Sequence, residues 1–310
     1  MTYKLTVLIL CLAAFSNFGL ACAEKKADSN VDQQINDFSL AGYGEQGKKT
    51  WDISGKSADI FDDVIKLNDI TGNMYGEQEN VNLVADKGEF NKAQAKVHLE
   101  KNVVITTTSG AKMTTDSLDW DRKNQIVSTK DSVNIAKDNM VTTGIGINGS
   151  TALKKVTLEK DVQVDILPVD KDGKDSSQVN ADNKVVINCD GPLVIDYEKN
   201  VATFNKNVKV DRNSTQIYSD SMDVYFTAAK KDNKAQSAPG SDALGMSSGM
   251  GGSKVEKIVA RDNVRIVRGE NISYSDEATY IVPEKKIILS GKPRLVINST
   301  EGLSNASVGN

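Results

Sequence analysis

The stretch VHLEKNVVI, residues 97–105, contains the pattern that decides the fold. Apolar residues occupy its first, third, seventh and ninth positions, and the three residues between the two pairs are polar. Related stretches follow, among them ATFNKNVKV (202–210) and IVARDNVRI (258–266). Because side chains alternate between faces along an extended chain, the even spacing places all four apolar side chains of a copy on one face. The polar residues between the pairs favour a bend or a bulge in the strand.

Copies of this pattern begin at residues 97, 127, 156, 202, 258 and, less perfectly, 287. The copies are about 29 residues apart once two polar inserts, 168–184 and the Gly/Ser/Met-rich 228–254, are set aside. The chain is rich in alternating Val, Ile and Thr, and no sustained helical period follows residue 30, so we predict an all-β protein. One copy cannot bury its apolar face alone, which predicts a stack or roll of consecutive repeats.

A second motif lies in the segment that follows a copy of the pattern and leads back to the start of the next repeat. It occurs as Thr115-Asp116, Ser219-Asp220 and Ser275-Asp276. Paired carboxylates can perform acid–base catalysis. An aspartate that recurs once per unit at a strand corner is more simply interpreted as an Asx-type turn.

Composition excludes several classes of function. The formal net charge is −4, so the chain lacks the clustered cations that binding to nucleic acid requires. The one histidine, His98, is expected on the outer face, Cys189 has no base near it in sequence, and no cluster has metal-ligand spacing. We therefore expect no enzymatic activity, no metal ion and no cofactor.

The N-terminus predicts export. Lys4 precedes a mostly apolar run, Leu5–Phe15, which is too short for the roughly 20 residues that span a bilayer and fits a signal sequence. Three outcomes stay open for residues 1–23: cleavage at the Ala21-Cys22-Ala23 site, lipidation of Cys22 in a lipobox variant, or a retained membrane anchor.

Two groups of motifs carry a family resemblance. FSLAGYGEQGKKTWDISGKSADI (38–60), VADKGEF (84–90), VHLEKNVVITTTSGAKMTTDSLDWD (97–121) and GIGI (144–147) resemble the LptC family of lipopolysaccharide-export proteins. NCDGPLVIDYEKNVATFNKNVKV (188–210), IYSDSMDVYF (217–226) and VEKIVARDNVRIV (255–267) resemble the LptA/OstA family. The predicted modules are thus an LptC-like roll at 36–167 and an LptA/OstA-like roll at 185–310, joined in one chain rather than separate.

The resemblance implies a twisted, open β-jelly-roll, with the two consecutive modules forming one continuous roll. It also implies a periplasmic protein that carries lipopolysaccharide between an inner-membrane ABC transporter and the outer membrane, and that pairs edge strands with other bridge proteins. We expect the segment 60–84 near one end of the roll and 287–299 near the other. Membrane contact would be made through the N-terminus.

The inward-facing residues of the repeats are then the candidate lining of a lipid groove. They are Val97, Leu99, Val103, Ile105, Val133, Ile135, Val162, Val164, Phe204, Val208, Val210, Val264 and Ile266. The same residues would equally serve a closed core. The alternative function is therefore an exported β-solenoid that acts as an adhesin or structural spacer.

Overall fold

The computed structural model describes residues 33–44, 47–76, 80–124, 126–150, 155–167, 184–227 and 255–297. The predicted signal or anchor at 1–23 with Cys22, the insert 228–254 and all of 168–184 except Lys184 lie outside the described residues.

The described residues form seventeen β-strands and no α-helix, so the prediction of an all-β fold is confirmed. The strands are β1 Gln33–Tyr43, β2 Lys49–Phe61, β3 Val64–Tyr75, β4 Asn80–Asn91, β5 Lys96–Thr107, β6 Lys112–Asp121, β7 Ile126–Lys137, β8 Met140–Ser150, β9 Lys155–Ile166, β10 Val185–Cys189, β11 Leu193–Asp196, β12 Val201–Arg212, β13 Thr215–Phe226, β14 Val255–Arg268, β15 Asn271–Ile281, β16 Lys286–Ser290 and β17 Arg294–Val296.

The strands form one long antiparallel sheet in which each strand pairs with its neighbours in sequence. Strands β10 and β11 share one position in the sheet, because both pair with β9 on one side and with β12 on the other. Likewise β16 and β17 both pair with β15. The arrangement agrees with a twisted β-jelly-roll in which two modules are continuous.

The bends predicted within the repeats lie at mid-strand. Lys101 and Asn102 in β5 have φ of 65° and 51°, and Lys206 and Asn207 in β12 have φ of 63° and 52°. Asp262 and Asn263 repeat this left-handed pair in β14, with φ of 61° and 53°. The pairing register shifts at each of these places, as expected of a bulge that turns the strand.

The expectation about the strand corners is wrong. The Ser/Thr-Asp pairs lie inside β6, β13 and β15, opposite the bulges of the neighbouring strands, and not in Asx-type turns. The segment 60–84 lies near the N-terminal end of the described sheet, in β2–β4, but it is not the edge, because β3 pairs on both sides. The N-terminal edge of the described sheet is β1, and the C-terminal edge falls on β16 and β17 as expected.

The buried side chains form two clusters along the inner face. The first runs from Phe38 to Leu118 and belongs to β1–β6, whereas the second runs from Val133 to Val282 and belongs mainly to β7–β15. The break between the clusters coincides with an interruption in pairing between β6 and β7, where Thr115↔Val133 is followed only by Asp119↔Ser128.

Candidate functional site

The structure places all thirteen predicted lining residues on the inner face of the sheet. Nine are buried, with at most 4% of their surface exposed: Leu99, Val103, Val133, Val162, Val164, Phe204, Val208, Val210 and Val264. The other four, Val97, Ile105, Ile135 and Ile266, are half-buried and pack against the same two clusters. The alternation on which the set was chosen therefore holds in every repeat that contributed to it.

The predicted lining did not include the strands that return between these copies. Their inner positions are equally buried and complete the interior: Leu118, Ile147, Ile187, Leu193, Met222, Val224 and Tyr280. The signal was present in β13, where Met222 and Val224 follow Ser219-Asp220 with the spacing of one face. It was weak in β10 and β11, because those strands are four or five residues long.

The inner face crosses from the first predicted module (36–167) to the second (185–310) without interruption. Val164 of β9 lies opposite Ile187 of β10, which in turn lies opposite Val210 of β12. Leu158, Leu193 and Phe204 make a second such row across β9, β11 and β12. Residues of both halves thus belong to one hydrophobic cluster.

Five buried serine and threonine residues interrupt this apolar interior among the residues described, and the hydroxyl groups of three of them lack a hydrogen-bond partner. Thr115, Ser219 and Ser275 are only 7%, 5% and 7% exposed, and their hydroxyl oxygens have no hydrogen-bond partner among the described residues. They are the Ser/Thr members of the motif that sequence analysis assigned to turns.

At both ends of the described sheet, side chains of the inner face are exposed. Leu40 of β1 lies opposite Ile53, which packs against the first cluster, yet Leu40 is 58% exposed. At the other end, Ile287 of β16 and Leu295 of β17 are 49% and 60% exposed. The hydrophobic interior therefore opens at its two ends.

The outer face is polar and carries a row of cations and aromatic rings in the second half. The guanidinium of Arg265 lies 4.1 Å from the centre of the Tyr218 ring, and Lys209 lies 5.9 Å from the same ring. His98 is exposed, as predicted, and its Nδ1 lies 2.7 Å from Oδ1 of Asp119.

Asp52 and Cys189 are among the ionisable groups whose pKa values are shifted by their surroundings. Asp52 on β2 accepts hydrogen bonds from Asn73, Lys49 and Tyr75, and these lower its pKa to about 2. Burial raises the pKa of the Cys189 thiol, which disfavours the thiolate that nucleophilic catalysis needs.

Within the described ranges, no three His, Cys, Asp or Glu side chains are placed to hold a metal ion. No helix in that part of the chain is long and apolar enough to cross a membrane.

Family models match both halves of the chain. A family model described as "Lipopolysaccharide-assembly, LptC-related" matches residues 5–166. A second model, described as "LptA/(LptD N-terminal domain) LPS transport protein", matches residues 191–309. No curated protein matches the chain.

Proposed function

Because the chain belongs to the LptC-related family of lipopolysaccharide-assembly proteins, we propose that its inner face shields the acyl chains of lipopolysaccharide during transport. The two family matches support the broader role directly: the protein acts in lipopolysaccharide transport through the periplasmic bridge. Lpt bridge domains are periplasmic transport domains rather than enzymes. Attachment to the inner membrane, through a retained N-terminal segment or a lipid on Cys22, is part of the proposal.

The observation that carries the proposal is the unbroken apolar inner face across β9, β10, β11 and β12. A transport path from an LptC-like to an LptA-like module must avoid exposing acyl chains to water at the junction. Here the junction is built from rows such as Leu158–Leu193–Phe204, each member at most 3% exposed. Each methylene kept from water contributes on the order of 0.8 kcal/mol, so ten methylenes contribute roughly 8 kcal/mol.

One observation favours the alternative of a spacer with a closed core. The inner side chains of the second half pack against one another at exposures of a few per cent, for example Val208 and Met222 at 1% each. Lipid can enter between such side chains only if the parts of the sheet whose inner side chains face one another move apart. The experiment that tests the proposed function must therefore detect lipid at these positions inside the cell.

Site-specific photocrosslinking from two adjacent residues of β12 makes that distinction. Val208 is buried on the inner face, whereas Lys209 is on the outer face, where it forms an ion pair with Asp211 at 2.8 Å. We expect lipopolysaccharide adducts from a photoreactive residue at 208 and none from 209, which is the matched control. Absence of adducts from 208, 103 and 266 in folded protein would favour the closed spacer.

We further propose that the two sheet edges dock bridge partners, with β1 facing the transporter and β16–β17 facing the next bridge protein. Both edges end in exposed apolar side chains of the inner face, so an added strand would cover them as well as pair with the backbone.

Proline removes an N–H group from the edge. Adjacent N–H groups of a strand point to opposite sides, so one of Leu295→Pro and Val296→Pro blocks the outward side of β17. We expect that variant to lose end-to-end association in crosslinking assays, while Leu295→Ala and Val296→Ala, which keep the N–H groups, retain most of it. Full association by both proline variants would place the docking edge elsewhere.

A further inference from the structure

The three buried hydroxyls occupy equivalent positions in the repeat. Thr115 lies opposite Val103, Ser219 opposite Val208, and Ser275 opposite Val264. Each of these valines directly follows the left-handed asparagine of a bulge, namely Asn102, Asn207 and Asn263. The hydroxyls therefore occupy equivalent places next to the line on which the strands bend, Ser219 and Ser275 on β13 and β15, and Thr115 apart from them on β6.

A hydroxyl group can be buried in this interior and still have a hydrogen-bond partner. Thr129 is only 3% exposed, and its Oγ1 accepts a hydrogen bond of 3.1 Å from the backbone N–H of Asp131. Thr115, Ser219 and Ser275 make no such bond with the residues described. A buried hydroxyl without a partner destabilises a fold, since it has lost its bonds to water and gained none in return.

The side chains around these hydroxyls are apolar, so each hydroxyl is a single polar group in a surface suited to hydrocarbon. Thr115 lies between Val103 and Val133 and borders an open depression of about 640 Å³ beside the bends of β5–β9. Ser219 and Ser275 are two strands apart in the sheet, roughly 10 Å at the usual strand spacing. Each hydroxyl thus stands among apolar side chains that would contact hydrocarbon.

We propose that Thr115, Ser219 and Ser275 form a binding site for the carbonyl oxygens of ester- and amide-linked acyl chains. Each hydroxyl donates a hydrogen bond to a carbonyl oxygen while the flanking valines contact the adjoining methylenes. Loading with lipid then satisfies groups that the lipid-free interior leaves unpaired. The inference rests on the proposed function and adds the chemical group that the interior recognises.

The test compares two lipids in the purified full chain: dimyristoyl phosphatidylglycerol, which has two ester carbonyls, and its dialkyl ether analogue, which has none. The test variant combines Thr115→Val, Ser219→Ala and Ser275→Ala. We expect it to bind the ester lipid roughly 25-fold more weakly than the wild type, about fivefold for each carbonyl, and to bind the ether lipid unchanged. Its melting temperature should equal or exceed that of the wild type, because unpaired hydroxyls have been removed.

Thr129→Val is the matched control, since it removes a buried hydroxyl that already has a partner. It should lower the melting temperature and leave the ester-to-ether preference intact. Equal losses for both lipids in the test variant, no loss for either, or a melting temperature well below that of the wild type would overturn the inference alone. Failure of the wild type to bind either lipid would likewise overturn this inference, whereas the proposed function is tested separately by lipopolysaccharide adducts at position 208.

Discussion

At the scale of single residues, the bends depend on asparagines that do two things at once. Asn102, Asn207 and Asn263 each adopt a left-handed backbone conformation, which asparagine tolerates better than most residues. Each also donates a side-chain hydrogen bond to an aspartate of the preceding strand segment, at 2.7, 2.5 and 2.7 Å respectively. Each asparagine therefore both permits the bend and makes the contact that fixes it.

Substitutions at Asn263 can separate the contribution of the left-handed backbone conformation to stability from that of the side-chain hydrogen bond. Asn263→Ala loses the bond to Asp220 and places a Cβ-bearing residue without a local hydrogen bond at φ 53°, so we expect a loss of about 1–2 kcal/mol in unfolding free energy. Asn263→Gly loses only the hydrogen bond and should cost about 1 kcal/mol less than the alanine variant. Urea denaturation measures both; equal losses would show that the left-handed conformation contributes nothing.

The lowered pKa of Asp52 predicts how folding stability depends on pH. Its pKa is lowered from 3.8 to about 2 by hydrogen bonds from Asn73, Lys49 and Tyr75 in the folded state. The unfolded chain therefore takes up this proton first on acidification, so the stabilisation is present above about pH 4 and is lost as the pH falls towards 2. Wild type should be more stable than Asp52→Asn at pH 6, and the difference should shrink between pH 4 and 2 in denaturation measured across that range.

At the scale of the strand, sequence reasoning succeeded where one strand contains a whole copy of the pattern. In β5, β12 and β14 four apolar residues and a polar bend are contiguous, so both the face and the bulge could be predicted. It failed where the deciding information lies in another strand. Nothing local to Asp220 indicates that its partner is Asn263 of β14, and nothing local to Ser219 indicates that its hydroxyl is buried without a partner.

Gly191, at the junction of β10 and β11, has both a positive φ and too little space for a Cβ atom. Gly191 has φ +95°, and a Cβ there would lie 2.5 Å from the backbone oxygen of Glu159 and 2.7 Å from Cα of Lys160. Gly191→Ala must therefore move the backbone of β9, and we expect it to cost about 3 kcal/mol or more in unfolding free energy.

Gly110→Ala is the control for this substitution. Gly110 has a similar φ of +89°, but a Cβ there would have no neighbour within 4 Å, so the variant should lose only about 1–2 kcal/mol. Chemical denaturation of both variants separates contact with β9 from backbone conformation. A similar loss in the two would mean that β9 accommodates the extra atom.

At the scale of the whole molecule, the boundary between the family matches and the boundary between the cores do not coincide. The first family match ends at residue 166 and the second begins at residue 191, and the larger hydrophobic cluster contains residues on both sides of this boundary. The clusters change between Leu118 of β6 and Val133 of β7, where the pairing of the two strands is interrupted. Because cooperative unfolding follows shared packing rather than ancestry, β7–β9 should unfold together with β10–β15.

Hydrogen exchange at increasing denaturant tests this with two core substitutions. Leu158 and Ile70 are both fully buried, in the larger and the smaller cluster respectively, so each alanine variant should lose about 2–5 kcal/mol within its own unit. Leu158→Ala should weaken protection in β7–β9 and β10–β15 alike, and Ile70→Ala only in β1–β6. In the wild type, β1–β6 should exchange first, since its cluster has eight buried residues against twenty-five among those described. Protection that changes instead between β9 and β10 would mean that the two halves fold as separate modules, and that the shared rows across their junction add little to the stability of either.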